Sequence, residues 1–411
     1  MDANIQSRPR GSAYRSVMAK KYTSVIGVDL GSQTIKVAEI KLQGRQPVLT
    51  AIGMAQTPEG TVDQSGVHDS ESIGAVVKDL CAASGISVGD AVVSITGNQS
   101  VLVRTLDVPN MNQDELKKHM EWEVTRNIPF AESTVVSDFK SFQPDDAAAQ
   151  NMDVVMAIAT QSSAVTLVNL LKRAGKKAAA LDVEPLAIAR SLDISYNGAF
   201  PSKQVCVVEI GHRTTSINIY KDGKLLMPRQ VPMGGEMFTR AIADGMSMTF
   251  EDAERAKIND MVLPSQAQQA SFNPFGAAPA VSSYNPFADP TDAPAEETAP
   301  VEATPEPAAE PANPYANAVA VTLDELVAEI RRSVDYHRSK GGDVDQVLLA
   351  GGASKMKNLD RFLSSALDLP VEMYDPFRSV SMSLKKSEPE LVEQSKQDFA
   401  VAVGNALHIC F

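Results

Sequence analysis

The stretch Val25-Ile-Gly-Val-Asp-Leu-Gly-Ser-Gln-Thr-Ile-Lys-Val37 runs through alternating apolar residues into Asp29, turns at Gly31 and resumes through Ser32 and Thr34. Such a pattern predicts a β-hairpin with a polar tip. A second stretch, Val205-Cys-Val-Val-Glu-Ile-Gly-His-Arg-Thr-Thr-Ser-Ile-Asn-Ile-Tyr220, repeats it with Glu209 before the turn and Gly211 in it. Glycine lets backbone N–H groups approach a phosphate closely, and the preceding carboxylate sits where a hydrated magnesium ion can be held. One such hairpin carries little weight. Two of them about a domain length apart, followed by the strand and double glycine of Val347-Leu-Leu-Ala-Gly-Gly-Ala-Ser-Lys-Met356, point to twin phosphate grips carried by two lobes.

Composition agrees with two lobes. The chain has 411 residues, 44% of them apolar, enough for two substantial cores. Its formal charge of −13, with no basic stripe interleaved with aromatics, argues against a nucleic-acid binder. No apolar run reaches the roughly 20 residues that span a bilayer, and no signal-peptide core opens the chain, so a cytoplasmic protein is expected. Cys81, Cys206 and Cys410 are far apart and odd in number, which suggests no disulfide framework, and the five histidines lack metal-ligand spacing.

Residues 1–21 have no periodicity and are expected to be a flexible tail. From Pro264 to Asn317 proline, alanine and acidic residues crowd together without lysine or arginine, the composition of a disordered insert. Within it Asn273-Pro-Phe275, Asn285-Pro-Phe287 and Asn313-Pro-Tyr315 recur, either as docking motifs or as the incidental repetition of a tether. Between the hairpins, Pro47–Gly53 extends the first sheet and Glu71–Ala83 reads as a helix. Ala91–Thr96 and Val101–Val108 read as strands around Gly97-Asn98. Asn112 with Glu115 forms a capping box for a helix through Asn127, with Leu116, Met120 and Val124 on one stripe and Trp122 offset. Ile128-Pro-Phe130 stops that helix; Met152–Ala159 supplies a strand and Ser162–Ala174 a helix carrying Val165, Leu167, Val168 and Leu171. This piece reads as an α/β subdomain inserted into the first lobe.

The three glycine-bearing segments resemble the phosphate-one, phosphate-two and adenosine motifs of the actin-like ATPase superfamily. The string Leu106-Asp-Val-Pro109, Asp114-Glu-Leu116, Glu121-Trp-Glu123 and Ile128-Pro-Phe130 resembles the PilM branch of that superfamily, which it shares with FtsA. The resemblance spans about Tyr22 to Asn259 and Val321 to the carboxyl end. It implies an α/β, two-lobed actin-like ATPase fold, with ribonuclease-H-like lobes and an FtsA/PilM-type inserted subdomain. The expected division is a tail to residue 21, a first lobe over 22–90 and the insert with its return over 91–180. The second lobe then covers 181–263 and 318–396 around the 264–317 insert, and 397–411 returns as a helix to the first lobe.

The cofactors the resemblance implies are ATP and Mg. Gly31, Ser32, Gln33 and Thr34 would offer donors to the β- and γ-phosphates, and Gly211, His212, Arg213 and Thr214 would form the opposing grip. Asp29 and Glu209 would meet magnesium through water. Lys36 reaches a phosphate or faces solvent; spacing leaves both open. Glu184, in Leu181-Asp-Val-Glu-Pro-Leu186, either positions the attacking water or is a helix-start glutamate favoured by the dipole. Gly234 and Gly235 open a helix beside the nucleoside. Glu254 and Lys257 contact ribose and adenine or are an ordinary surface pair, and Gly351, Gly352 and Ala353 complete the pocket. Glu209 is one methylene longer than the aspartate usual in the second motif, so binding with slow hydrolysis is expected.

The implied role is a cytoplasmic scaffold of type IV pilus assembly, supporting pilus biogenesis and twitching motility. It would be recruited to the inner membrane by binding the amino-terminal cytoplasmic tail of the protein PilN, with pilus motor ATPases and self-association as further contacts. A cell-division scaffold of the FtsA kind is disfavoured because Asp398–Phe411 carries no lysine or arginine for a membrane-targeting helix. A metabolite kinase would need a substrate-facing aspartate after the first phosphate motif, and none stands out.

Overall fold

The computed structural model describes residues 22–131, 134–142, 149–265, 313–384, 386 and 389–411. The first lobe opens with β1 (Ser24–Leu30), β2 (Thr34–Gln43) and β3 (Gln46–Gln56), an antiparallel meander. Helix α1 (Ser70–Ala83) follows, started by the Asp69 side chain accepting from two backbone amides, and β4 (Asp90–Ile95) then lies parallel to β1.

The chain next leaves this sheet. Strand β5 (Val101–Pro109), helix α2 (Gln113–Asn127), and strands β6 (Val135–Phe142) and β7 (Asn151–Thr160) form a separate three-stranded antiparallel sheet in the order β5-β7-β6. The strands either side of Gly97-Asn98 therefore do not pair with each other. Gly97 has φ +95°, and a Cβ there would lie 2.6 Å from the Gly66 amide, so the exit from the lobe needs glycine. Asn112 and Glu115 close both halves of a capping box on α2. Leu116 and Met120 pack on β7, while Trp122 is 54% exposed beneath the Arg126 guanidinium.

Helix α3 (Gln161–Arg173) returns to the first lobe. It buries Leu167, Leu170 and Leu171 against α1 and the first sheet rather than in the insert, and Val165 and Val168 of its apolar set are exposed. Strand β8 (Lys177–Val183) completes that sheet beside β4 and runs directly into α4 (Glu184–Tyr196), with Pro185 in the first turn, where its missing N–H costs nothing.

The second lobe repeats the plan. β9 (Gln204–Ile210), β10 (Thr215–Lys221) and β11 (Lys224–Met227) form a meander, followed by α5 (Gly235–Met246) and α6 (Phe250–Asn259). After residues outside the description come α7 (Ala320–Ser339), β12 (Gln346–Ala350), α8 (Leu359–Leu367) and β13 (Val371–Met373). The sheet order is β11-β10-β9-β12-β13, with β12 parallel to β9. Helices α5 to α8 cover one face, and α4 covers the other.

The last helix, α9 (Ala400–Ala406), lies between β1 and α4. A Cβ on Gly27 would sit 1.9 Å from the Ala402 carbonyl oxygen, and one on Gly404 would sit 1.9 Å from that of Ala187. Asn405 pins the helix further, accepting from the Ser94 hydroxyl at 2.9 Å and donating to the Val28 carbonyl at 2.9 Å.

Two expectations about unstructured sequence meet the structure at one place. Residues 1–21 and the motifs at Asn273 and Asn285 lie outside the described residues. The third motif is ordered: Asn313 caps the short helix Pro314–Ala318 by accepting from the Tyr315 and Ala316 amides, and Tyr315 packs on the second-lobe core. The acidic insert therefore ends before Asn313, because an Asn-Pro pair is also a strong helix start.

Candidate functional site

The two hairpins face each other across a cleft of about 620 Å³, within the range of small-molecule sites. Each turn closes the same way, the Gly31 amide donating to the Thr34 carbonyl at 3.1 Å and that of Gly211 to the Thr214 carbonyl at 2.9 Å. Ser32, Gln33 and Thr34 line one wall; His212, Arg213 and Thr214 line the other. The Gln64 side chain bridges the rims, donating to the Arg213 carbonyl at 3.4 Å.

At the floor, carboxyl groups from four separate segments converge: Asp29 from β1, Glu184 from the start of α4, Glu209 from β9, and Asp398 from the turn before α9. Lys36 of β2 stands among them, its Nζ 3.2 Å from Asp29 Oδ2. It is buried and lines the cleft, which removes the solvent-facing alternative. Burial works against its charge, but Asp29, Asp398 and Glu209 together hold its pKa above the ordinary lysine value. Burial, with Glu184 and Asp29 nearby, pushes Glu209 well above the carboxylate range. Glu184 rises to about 7 through burial and Asp29, opposed by Ser216 and Lys36, and its Oε1 has no hydrogen-bond partner among the described residues.

The sign of the Glu184 effect follows from linkage. A carboxyl that holds its proton more tightly when folded stabilises the fold at low pH, and that contribution is lost as pH rises from about 4.5 to 7. The full shift corresponds to about 3 kcal/mol as an upper bound. Glu184→Gln is therefore expected to raise the urea midpoint at pH 8 more than at pH 5; equal effects at both pH values would show that Glu184 does not titrate in this window.

Elsewhere along the cleft, Lys257 of α6 is buried and donates to the Gly235 carbonyl at 3.0 Å, to Thr239 Oγ1 at 2.7 Å and to Glu254 Oε2 at 2.7 Å. It is not a surface pair: a Cβ on Gly235 would meet Ala353 Cβ at 3.0 Å and Lys257 Nζ at 3.4 Å. Gly352 and Ala353 line the cleft as well. Gly234 and Gly351 stand behind the wall instead, where their glycine character serves close backbone approach, Gly351 at φ +84° with a Cβ position 2.4 Å from the Ile210 carbonyl oxygen.

Several lining residues escaped the sequence reading. Lys355 and Asp398 form an ion pair at 2.6 Å in the cleft wall, joining the double-glycine turn to the last helix. Asp63 lines the cleft too, after the first phosphate-type turn where a kinase would carry its base. Burial works against its charge, but hydrogen bonds from Ser65 and His68 hold its pKa down to about 2, too low for efficient general-base work near neutral pH. Only a tertiary contact reveals either; neither has a local motif. Among the described residues no group of three His, Cys, Asp or Glu side chains is disposed to hold a metal ion. The carboxylates fit a hydrated divalent cation reached through water, and the turns, glycine cradles and buried amine fit a phosphorylated nucleoside.

Two sheets of the same order, paired hairpins at a shared cleft and helices crossing behind it define the actin-like ATPase fold. The profile of the family described as type IV pilus assembly protein PilM matches residues 27–282, so the chain belongs to that family. The profile of cell division protein FtsA matches residues 206–404, which leaves out the first lobe and its three-stranded subdomain. A chain of the PilM-PilN type IV pilus biogenesis complex superposes with TM-score 0.74 at 24% identity, covering 95% of this chain and 99% of that one. Ethanolamine utilization protein EutJ from Carboxydothermus hydrogenoformans gives 0.51 at 15% identity, over 93% of this chain and 89% of that one. The cell division protein FtsA of Bacillus subtilis is 24% identical over 254 residues, 56% of this chain and 57% of that protein. The FtsA of Rhizobium meliloti is 36% identical over 63 residues, 15% of this chain and 14% of that protein. The matches thus span 57% of the length of one curated relative and 14% of the other. No helix among the described residues is long and apolar enough to cross a membrane.

Proposed function

We propose that this chain is an ATP-binding scaffold of the type IV pilus assembly machinery. In this role it binds the cytoplasmic amino-terminal tail of a PilN-type inner-membrane protein and reaches the membrane through that partner. The observation that carries the proposal is the pair of opposed phosphate-type hairpins in a chain of the PilM family, with a separate three-stranded insert on the first lobe. Ser32 to Thr34 and His212 to Thr214 cradle the phosphates from two lobes, so bound nucleotide holds the lobes together. The partner surface then answers to nucleotide by population shift. Magnesium, when bound, neutralises phosphate charge and is met through water by Asp29 and Glu209.

Hydrolysis in this proposal is slow. Glu209, one methylene longer than an aspartate, would place a hydrated ion less closely, while Glu184, with its pKa near 7, is poised to take a proton from water. Motor ATPases and a second copy of the chain are further proposed contacts.

Calorimetric titration of a PilN-type tail peptide, with and without magnesium-ATP, tests the scaffold. Binding is expected to tighten with ATP in the native chain and to lose that dependence in Asp29→Ala. Absence of binding in every nucleotide state would defeat the pilus role.

A further inference from the structure

The sheet of the insert ends in an open edge. Its order is β5-β7-β6, and β5 lies against the second lobe, where the Thr105 hydroxyl donates to the Leu226 carbonyl of β11 at 2.9 Å. On the other side, no strand among the described residues pairs with the outer flank of β6. The Gln161 amide bonds to the Thr134 carbonyl at 3.1 Å, and the register from Val135 to Phe142 runs on without a shift. Bonds to β7 therefore recur at the even-numbered residues of β6, and the odd-numbered ones turn their N–H and C=O groups outward. The Phe139 amide agrees, donating to Asp138 Oδ1 at 2.8 Å.

An open edge invites a further strand, and charges along it oppose most pairings. Here the charges are Asp138 and Lys140, both exposed, on one face with Val136 and Phe142. Val136 is 40% exposed, and the Lys140 ammonium stands 5.6 Å over the Phe142 ring. Opposite signs two residues apart select one register for a second copy of β6 laid antiparallel about a two-fold axis. With the axis at Asp138 two carboxylates meet, and with the axis at Lys140 two ammoniums meet. With the axis at Phe139, Asp138 meets Lys140 in both halves and Val136 meets Phe142. The outward-facing Ser137, Phe139 and Ser141 then exchange backbone hydrogen bonds with Ser141, Phe139 and Ser137 of the second copy. The even-numbered pairs are of the closer, non-hydrogen-bonded kind, where opposite charges and apolar contacts stabilise most.

We propose that β6 is a self-association edge, through which two copies of the chain pair antiparallel about Phe139 and join their inserts into one continuous sheet. This gives the self-contact proposed above a surface and a register, and it rests on neither the nucleotide cleft nor the tail-binding role. A strand of 8 residues makes a small contact, so a dissociation constant on the order of 10–100 µM is expected. Copies gathered by a membrane partner would pair more tightly through their raised local concentration.

Sedimentation velocity of the full-length chain over about 1–300 µM tests the pairing, under reducing conditions because Cys410 is exposed. The native chain is expected to pass from monomer to dimer across that range. Asp138→Lys and Lys140→Asp each set like charges opposite one another and are expected to weaken association at least about thirtyfold. Mixed in equal amounts, these two variants are expected to dimerise again, since each then faces the opposite charge; so is the chain carrying both substitutions. A native chain that stays monomeric overturns the proposal, as does a dimer indifferent to both single substitutions or a mixture that stays monomeric. Thermal melts establish that each variant is folded, and Ser137→Pro, which removes an outward N–H and spares the bonds to β7, decides if a charge variant is not. Titration of a PilN-type tail peptide into the same chains separates the readings. A monomeric native chain whose tail affinity falls in both charge variants would mean that the edge seats the tail, which overturns the second copy as its occupant. A native dimer with no affinity for the tail would overturn the pilus role and leave this pairing standing.

Discussion

Gly404→Val is expected to leave little folded protein. The glycine sits in α9 where a Cβ would come within 1.9 Å of the Ala187 carbonyl oxygen and 2.4 Å of its carbon. Those are backbone atoms of α4, which cannot rotate away as a side chain would. Withdrawal of α9 in the other direction is blocked by β1, since Gly27 already meets Ala402 and Ala406 at backbone distance. Overpacking that side chains can absorb costs about 1–3 kcal/mol; a clash between two backbones clamped from both sides is expected to exceed about 4 kcal/mol, a large share of total stability. Soluble yield and the urea midpoint measure it. A midpoint equal to that of the native chain would mean that α9 and α4 do not approach so closely. The consequence reaches the site, because the turn leading into α9 carries Asp398 to Lys355, and the Gly351 amide donates to the Gln397 carbonyl at 2.9 Å.

Lys257→Met is expected to lower both stability and nucleotide affinity. The ammonium ties α6 to the first turn of α5 through three hydrogen bonds. Burial depresses the Lys257 pKa, whereas Glu254 is lowered because the pull of Lys257 outweighs its own burial. The two shifts point opposite ways for the pair, as they do when desolvation and attraction nearly cancel. The pair as such adds little, but removing one partner leaves Glu254 and the Gly235 carbonyl unmatched, at about 2–4 kcal/mol. Nucleotide affinity is expected to fall at least about tenfold, since Gly235 and Lys257 both line the cleft. Denaturant melts and ATP titration read the two effects separately. Loss of stability with unchanged affinity would confine Lys257 to holding α5 and α6 together and move the nucleoside elsewhere.

Some of this was legible in the chain alone. Both hairpins and the capping box of α2 are local patterns: alternation sets the strand, glycine sets the turn, and Asn112 with Glu115 satisfies helix-end amides three residues apart. Such features depend on neighbours within a few residues, so a single sequence displays them. The helix start at Asn313 is equally local, but the acidic, proline-rich composition around it led instead to the expectation of a disordered segment through Asn317.

What the sequence by itself determined is therefore the two hairpins, their order and the two polar tips that imply a cleft; the strands Val135–Phe142 and Lys177–Val183 carried no comparable local signal. Tertiary structure alone decided which charges meet there. Asp29, Lys36, Glu184, Glu209 and Asp398 come from segments spread over nearly the whole chain, and Lys36 became a buried counter-ion only because all four carboxyl groups face it. Likewise Gln161–Arg173 has the same amphipathic pattern whether it covers the insert or the first lobe, and its packing on α1 settled the matter. Periodicity reports which face of an element is apolar; it carries no information on which distant surface that face will cover, and burial and pKa follow from that surface.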